Sequence, residues 1–350
     1  EEASVVKFVN QIIREALDQA MDHDETVVVF GLDVDDPKRI LGTTKILLEK
    51  YGVERLFGTP LSEEAMTGVA IGMAIAGLRP VHVHIRMDFL LLCMNQLVNM
   101  AAKLHSMTGG QLVVPLVVRA IVGKSWGQGA QHSQSLYSLF AHIPGLKIIA
   151  PTTPFDAKGG MRSSITDNDP VIFVEQRLLH YQTGYVPVDH YEIESGKGRI
   201  VVVGEDITVV GISYMLIECQ RAEKYLRQKD IRVELIDPIW LAPMDIDLIV
   251  SSVKKTGKLC VVDNAWLSCG LSAEIIASTL ERLQGEREIT VHRIGFAPTT
   301  CAPSPVLENA FYPNARSIAS KINKIINGEI SNWVPNEQPE LSEIEFKGPF

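Results

Sequence analysis

Two adjacent carboxylates, Glu63 and Glu64, open an otherwise apolar helical run, FGTPLSEEAMTGVAIGMAIAG at residues 57–77. Acids at a helix start admit two kinds of chemistry. They can cap the free amides and meet the positive end of the helix dipole, with Ser62 as N-cap. Alternatively, one of them can exchange a proton with a ligand, because a carboxylate entering an apolar core is costly unless paired or protonated. A second reactive type stands in the loop GKSWGQGAQHSQS, residues 123–135, where His132 accompanies Gly127, Gly129, Gln131 and Gln134. Glycines let a backbone approach a ligand closely, and a histidine exchanges protons near neutral pH. A structural turn with a surface histidine accounts for the same residues. His82 and His84 share one face of a strand, as a metal pair or as two core histidines; no clustered third ligand accompanies them. Ser133 beside His132 lacks the GxSxG turn of a hydrolase nucleophile. No GxGxxG opens a helix after a strand and no GxxxxGK[ST] occurs, which removes the main support for nucleotide-dehydrogenase and P-loop functions.

The elements that must position these groups alternate. The patterning predicts a helix over 5–21, a strand over 26–30 leading into the acidic loop GLDVDDP, a helix over 42–51 and a strand over 55–57 feeding the Glu63 turn. A strand over 79–85 ends at Arg86 and Asp88, a long helix follows over 89–104, and a strand over 113–121 leads into the His132 loop. Helix 136–142, strand 147–150, helix 155–166 and strand 171–175 complete a mostly parallel α/β sheet, whose sites lie beyond the carboxyl ends of the strands. Residues 178–197 read as an irregular linker. A second α/β unit begins at Arg199, with strands 207–212, 232–236, 258–262 and 290–294 between helices 216–229, 245–254, 271–284 and 315–326. Gly68, Gly72 and Ala76, four apart, put small residues on one helix face, suited either to a subunit interface or to internal packing.

The 350 residues suffice for about two domains, and 46% hydrophobic with 21% charged residues describes an ordinary globular chain. A net charge of −9 without a basic run argues against nucleic acid as partner. Five scattered cysteines without CxxC spacing indicate free thiols in a reducing compartment. The apolar run over 89–102 is broken by Asn95, Gln96 and Asn99, so it cannot span a bilayer. The expected location is cytoplasmic, or the mitochondrial matrix or plastid if a targeting segment has been removed.

TPLSE at 59–63, GLRP at 77–80, NQLVNMAAK at 95–103, AQHSQS at 130–135, PGLKIIAPTTPFDAKG at 144–159, DNDPVIFVE at 167–175 and LAPMDIDLIVSSVKKTGKL at 241–259 together resemble the β subunit of thiamine-diphosphate-dependent 2-oxoacid dehydrogenases. The resemblance to this transketolase-like family (pyruvate, branched-chain and acetoin types) runs from about residue 5 to about residue 326. It implies a pyrimidine-binding α/β domain over 1–180, a linker over 181–198, a transketolase-type C-terminal α/β domain over 199–327 and a tail over 328–350. It implies that Glu63 meets the pyrimidine ring nitrogen of the cofactor, that Phe89 stacks on that ring and that Ile85 lines its pocket. Glu64 is left a supporting role. His132 donates a proton or hydrogen bond to substrate-derived oxygen or to the acyl acceptor. The activity implied is decarboxylation of a 2-oxo acid and passage of the acyl group to a lipoyl carrier, in an α2β2 assembly that can sit on a lipoyl acyltransferase core.

No GDG motif for magnesium occurs, and GED at 204–206 lacks the last glycine, so the resemblance places the metal mainly on the α partner. Leu116, Ser164, Asp167 and Asp169 match a potassium-binding segment of some relatives; a capped turn explains the two aspartates equally. Gly58, His84, Arg86, Met87 and GLDVDDP depart from the family pattern, and an inward Arg86 would favour an acidic or phosphorylated substrate. Two rival functions remain: a thiamine-dependent carboligase of transketolase type, and a non-catalytic scaffold subunit.

Overall fold

β-branched runs with turn residues at their ends form the parallel strands that the patterning predicts. The computed structural model describes residues 4–36, 39–123, 127–328 and 331–336. The first sheet has seven strands in the order Trp240–Ala242, Lys147–Ile149, Val171–Gln176, Val117–Val122, Arg79–His84, Val27–Gly31, Leu56–Gly58. The pairings from Lys147–Ile149 through to Leu56–Gly58 are all parallel. Its central strands are buried on both faces, which is why they read as continuous apolar runs instead of alternating ones. The second sheet runs Thr290–Ile294, Lys258–Val262, Ile207–Gly211, Val233–Asp237, Arg199–Val202, parallel except for the last pairing. The molecule is therefore two mostly parallel α/β domains. The antiparallel edge strand Arg199–Val202 is an addition to the sequence expectation.

The chain divides into two compact units. One holds residues 1–123, 139–195 and 241–243; the other holds 124–138, 196–240 and 244–350. The stretch that carries His132 thus groups with the second unit, while the chain on both sides of it belongs to the first.

Several local expectations change. A strand, Ser4–Phe8, precedes the first helix, Val9–His23, and pairs antiparallel with Thr183–Pro187 inside the stretch that reads as irregular. Two strands joined only by a long-range pairing leave little local signal. Helix 42–51 shrinks to Leu47–Tyr51, and Ile40, Leu41 and Ile46 take left-handed backbone. Here Thr43 donates to the Ile40 carbonyl at 3.0 Å, a local bond that competes with a helix, and Thr44 donates to the Val34 carbonyl ten residues back at 2.8 Å. The long helix over 89–104 is three windings in series: a 3₁₀ turn over Met87–Cys93, a π-helical stretch over Gln96–Ala101 and an α-helix over Ala102–Met107. The wider π winding brings the consecutive residues Gln96 and Leu97 both inward.

Among the described residues no helix is long and apolar enough to cross a membrane. In the tail, the ammonium of Lys229 lies over the Trp333 ring, 5.4 Å from its centroid, and Arg316 Nε donates to the Pro335 carbonyl at 3.0 Å. The rest of the tail expected over 328–350, residues 329–330 and 337–350, lies outside the described residues.

Candidate active site

The Glu63 helix spans Glu63–Ile75 and is entered from the edge strand Leu56–Gly58. Ser62 stands at the N-cap but its side chain caps nothing, so the acids of the first turn meet the helix dipole. The helix is apolar all round, yet it buries only Thr67, Ala70, Ile71 and Ala74. Val69 is 47% and Ile75 41% exposed, and a Cβ built at Gly68 or Gly72 meets nothing within 4 Å. The small residues at 68 and 72 therefore do not serve internal packing, one of the two explanations their spacing allowed.

Glu63 is half-buried and Glu64 exposed, where the sequence suggests a fully buried helix start. Together with Ser62, Ala65, Gly68, Leu92 and Gln96 they line a pocket of about 600 Å³. Gln96, not singled out by the sequence, donates to Glu64 Oε1 at 3.2 Å. Ile85 and Phe89 are half-buried in the same unit but do not line this pocket. At Gly58, a departure from the family pattern, a Cβ would fall 2.1 Å from Asp35 Oδ1. The Asp35 carboxylate from the neighbouring loop thus occupies the space that a side chain at 58 would take.

Beyond the strand Arg79–His84, Arg86 is half-buried; it donates to the Ile85 carbonyl at 2.8 Å and its Nε is buried without an acceptor. Burial lowers its pKa, against the opposing fields of Asp88 and Asp33. His82 stacks on Phe30 at 4.7 Å and meets His84 edge-on at 4.3 Å. Burial pushes His82 down to about 4, and burial together with His82 pushes His84 well below the usual range. Both are core histidines, neutral at physiological pH. Among the described residues no group of three or more His, Cys, Asp or Glu side chains is placed to hold a metal ion.

A cluster that the sequence reading misses lies deep in the first unit. Arg119 Nε and Nη2 donate to the two oxygens of Glu175 at 2.5 and 2.9 Å, and Nη2 also reaches Thr43 Oγ1 at 3.0 Å. His180 Nε2 is 3.0 Å from the same carboxylate. Burial alone would raise the Glu175 pKa, but Arg119 and His180 outweigh it and hold it at about 2. One signal was available: VVRAIV and VIFVEQ each carry one charge inside a buried strand, and buried charges require partners.

At the residues matched to a potassium segment, Lys147 Nζ lies 2.6 Å from Asp167 and 3.1 Å from Asp169. Arg79 Nη1 donates to the Ile165 and Asp167 carbonyls at 2.9 and 3.0 Å, Val171 N to the Leu116 carbonyl at 2.8 Å, and Ser164 Oγ donates to the Gly160 carbonyl at 2.6 Å. Lys147 and Arg79 bring positive charge to this turn.

In the second unit His132 is half-buried at a turn whose amide reaches the Gly129 carbonyl at 3.4 Å. Residues 124–126 of its loop lie outside the described residues. Ser133 and Ser135 beside it are buried, while His132 and Gln134 are half-buried. Tyr137 donates a hydrogen bond to Asp263, and both groups are fully buried. The acids of GED at 204–206 serve the fold: Arg232 pairs with Glu205 at 2.6 Å and its amide donates to Asp206 at 2.7 Å.

Residues 8–182 match the family described as transketolase, pyrimidine binding domain, and residues 196–318 match transketolase, C-terminal domain. The chain is 39% identical over 326 residues to the acetoin:2,6-dichlorophenolindophenol oxidoreductase subunit beta of Cupriavidus necator, covering 90% of this chain and 96% of that one. It is 39% identical over 320 residues to the pyruvate dehydrogenase E1 component subunit beta of Porphyra purpurea, covering 91% and 97%. Among solved structures, a split-gene transketolase described as an inactive beta4 tetramer shares the fold with a TM-score of 0.73 at 20% identity, over 91% of this chain and 98% of that one.

Proposed function

Since the chain belongs to the β-subunit family of thiamine-diphosphate-dependent 2-oxoacid dehydrogenases, we propose that it supplies the pyrimidine half of a cofactor site that an α subunit completes. The observation that carries this reading is the open pocket of about 600 Å³ at the start of the Glu63 helix, with Glu63 and Glu64 in its wall and the Cβ space of Gly68 vacant. A flat heteroaromatic ring with a basic nitrogen suits such a wall: a carboxyl group for the nitrogen and a glycine surface for close approach. Thiamine diphosphate, when bound, supplies the electron sink that lets a 2-oxo acid lose its carboxylate. Glu63 holds and exchanges a proton at the pyrimidine ring nitrogen. Gln96 fixes Glu64 to one side, so a single carboxyl group is left for that exchange. Phe89 and Ile85, which do not line this pocket in the chain by itself, take the stacking ring and an apolar wall on the family resemblance alone. His132 presents an imidazole N–H to oxygen atoms of the substrate or to the acyl acceptor, a lipoyl group.

The half-exposed Glu63 loses its remaining water when a partner covers the helix face. Leu61 (79% exposed) and Leu92 (57%) flank that face with Val69 and the open glycines, an apolar surface of the kind that subunits bury. On this reading magnesium and the diphosphate fall to the α subunit, in an α2β2 assembly. The pyrimidine-binding role goes with residues 1–180 and the C-terminal domain with 199–327, joined through 181–198. The test is a Glu63→Gln protein assembled with its α partner. It binds the cofactor but loses about two or more orders of magnitude in decarboxylation. Unchanged turnover would remove Glu63 from the mechanism.

A further inference from the structure

The segment carrying His132 is tied at four places within the second unit. At Gly127, with φ +71°, a Cβ would stand 2.3 Å from the Pro303 carbonyl oxygen, so the two backbones are in close approach. Tyr312 Oη donates to the Ser133 carbonyl and Asn264 Nδ2 to Ser135 Oγ, each at 3.4 Å. Last, Tyr137 donates to Asp263 Oδ1, whose other oxygen accepts the Ser272 amide at 3.0 Å at the start of helix Leu271–Leu283. This last tie is the most deeply buried, and it fixes a neutral phenol to a carboxyl group that the helix start also holds.

Residues 132–136 are bend and coil, and Tyr137 opens the short helix Tyr137–Ala141. Ser133, Ser135, Leu136 and Tyr137 are buried, while His132 and Gln134 are half-buried. Without a strand partner among the described residues to fix its course, the segment depends on these separate ties, of which Tyr137–Asp263 anchors the C-terminal end.

We propose that Tyr137 and Asp263 are positioning residues for His132: their buried bond anchors the C-terminal end of the segment and so holds the imidazole in one orientation. The inference rests on the assignment of His132 to acyl transfer above. It gives the C-terminal domain a part in the reaction without a contact to cofactor or substrate.

The test uses the assembled α–β holoenzyme with Tyr137→Phe, Asp263→Asn, His132→Gln and the double variant Tyr137→Phe/His132→Gln. The first readout is carbethoxylation of His132 by diethyl pyrocarbonate, followed by peptide mass spectrometry from about pH 5.5 to about 8. A change of about three-fold or more in rate, or a displaced midpoint, is expected in Tyr137→Phe and in Asp263→Asn. A profile unchanged in both variants overturns the proposal. The second readout is transfer to a lipoylated domain, using the fastest substrate among pyruvate, 2-oxobutyrate and branched-chain 2-oxo acids. Tyr137→Phe should lower transfer about ten-fold beside His132 and less than about two-fold beside Gln at that position. An equal fall in both backgrounds shows a merely structural role and overturns the proposal. Normal transfer in His132→Gln alone overturns the assignment of His132, a separate result because it involves neither Tyr137 nor Asp263.

Discussion

Two regions of the first unit invert the usual relation between polarity and burial. The Glu63 helix is largely apolar on every side, yet it leaves Val69, Ile75 and the open glycines exposed or half-buried. Arg119, Glu175 and His180 are ionisable but almost wholly inaccessible. The buried charges are paired with one another, although Arg119 Nη1 and His180 Nδ1 find no partner among the described residues, and losing one member leaves the others uncompensated. The exposed apolar helix has no such answer among the described residues, and on the proposed function its partner is the α subunit. One region is closed and serves architecture. The other is open and, on the function proposed here, serves assembly and chemistry.

The largest effect should come from opening the closed region. Glu175→Gln leaves Arg119 buried without its counter-charge and should cost about 3–5 kcal/mol in urea denaturation of the chain. A loss below about 1 kcal/mol would mean that water or Thr43 compensates the guanidinium, and the contrast would weaken.

Acid should act on the two imidazoles beside that region. His82 and His84 are held neutral by burial, below the value of about 6.5 they take in the unfolded chain. Above that pH neither state is protonated and the pair costs nothing. As pH falls from about 6.5 towards about 4, the unfolded chain binds protons that the folded one refuses, so stability drops by up to about 1.4 kcal/mol per pH unit for each imidazole. His84→Phe should flatten that slope in pH-dependent denaturation, and an unaltered slope would assign the acid sensitivity elsewhere.

The open region predicts the reverse pattern. Val69→Asp should change the stability of the isolated chain by no more than about 0.5 kcal/mol. The same change should weaken assembly with the α subunit at least about ten-fold in sedimentation or size-exclusion titration. Normal assembly would move the partner surface off this helix. The smallest and most discriminating change is Gly68→Ala. Replacing a helical glycine in open space should stabilise the chain by up to about 1 kcal/mol, while the added methyl group obstructs whatever approaches that face. Stabilisation without weaker assembly would leave Gly68 outside the interface.

Much of the fold is legible from short windows. Strands such as Val27–Gly31, Val117–Val122 and Lys258–Val262 are buried on both faces, so each carries its own signal as an apolar β-branched run. The pairing of Ser4–Phe8 with Thr183–Pro187 is not legible in that way, because neither segment announces a partner so distant in the chain. The broken winding of residues 87–107 is hidden for a related reason: helical periodicity cannot tell a π turn from an α turn. At the site, Glu63 stands out through its apolar setting. Gln96 becomes meaningful only when Glu64 is found against it.

Residue type and local order determined two mostly parallel α/β domains, the acid at the head of an apolar helix, and the histidine in a glycine-rich loop. Those properties depend on neighbours within a few turns, where hydrophobic periodicity and turn chemistry act. Tertiary structure alone decided that the Glu63 helix keeps a bare face, that Asp35 fills the space at Gly58, and that the His132 segment groups with the second unit through Tyr137 and Asp263. Each depends on groups far apart in the chain meeting at a buried contact, and the energy of such a contact belongs to the pair, so neither residue discloses it alone.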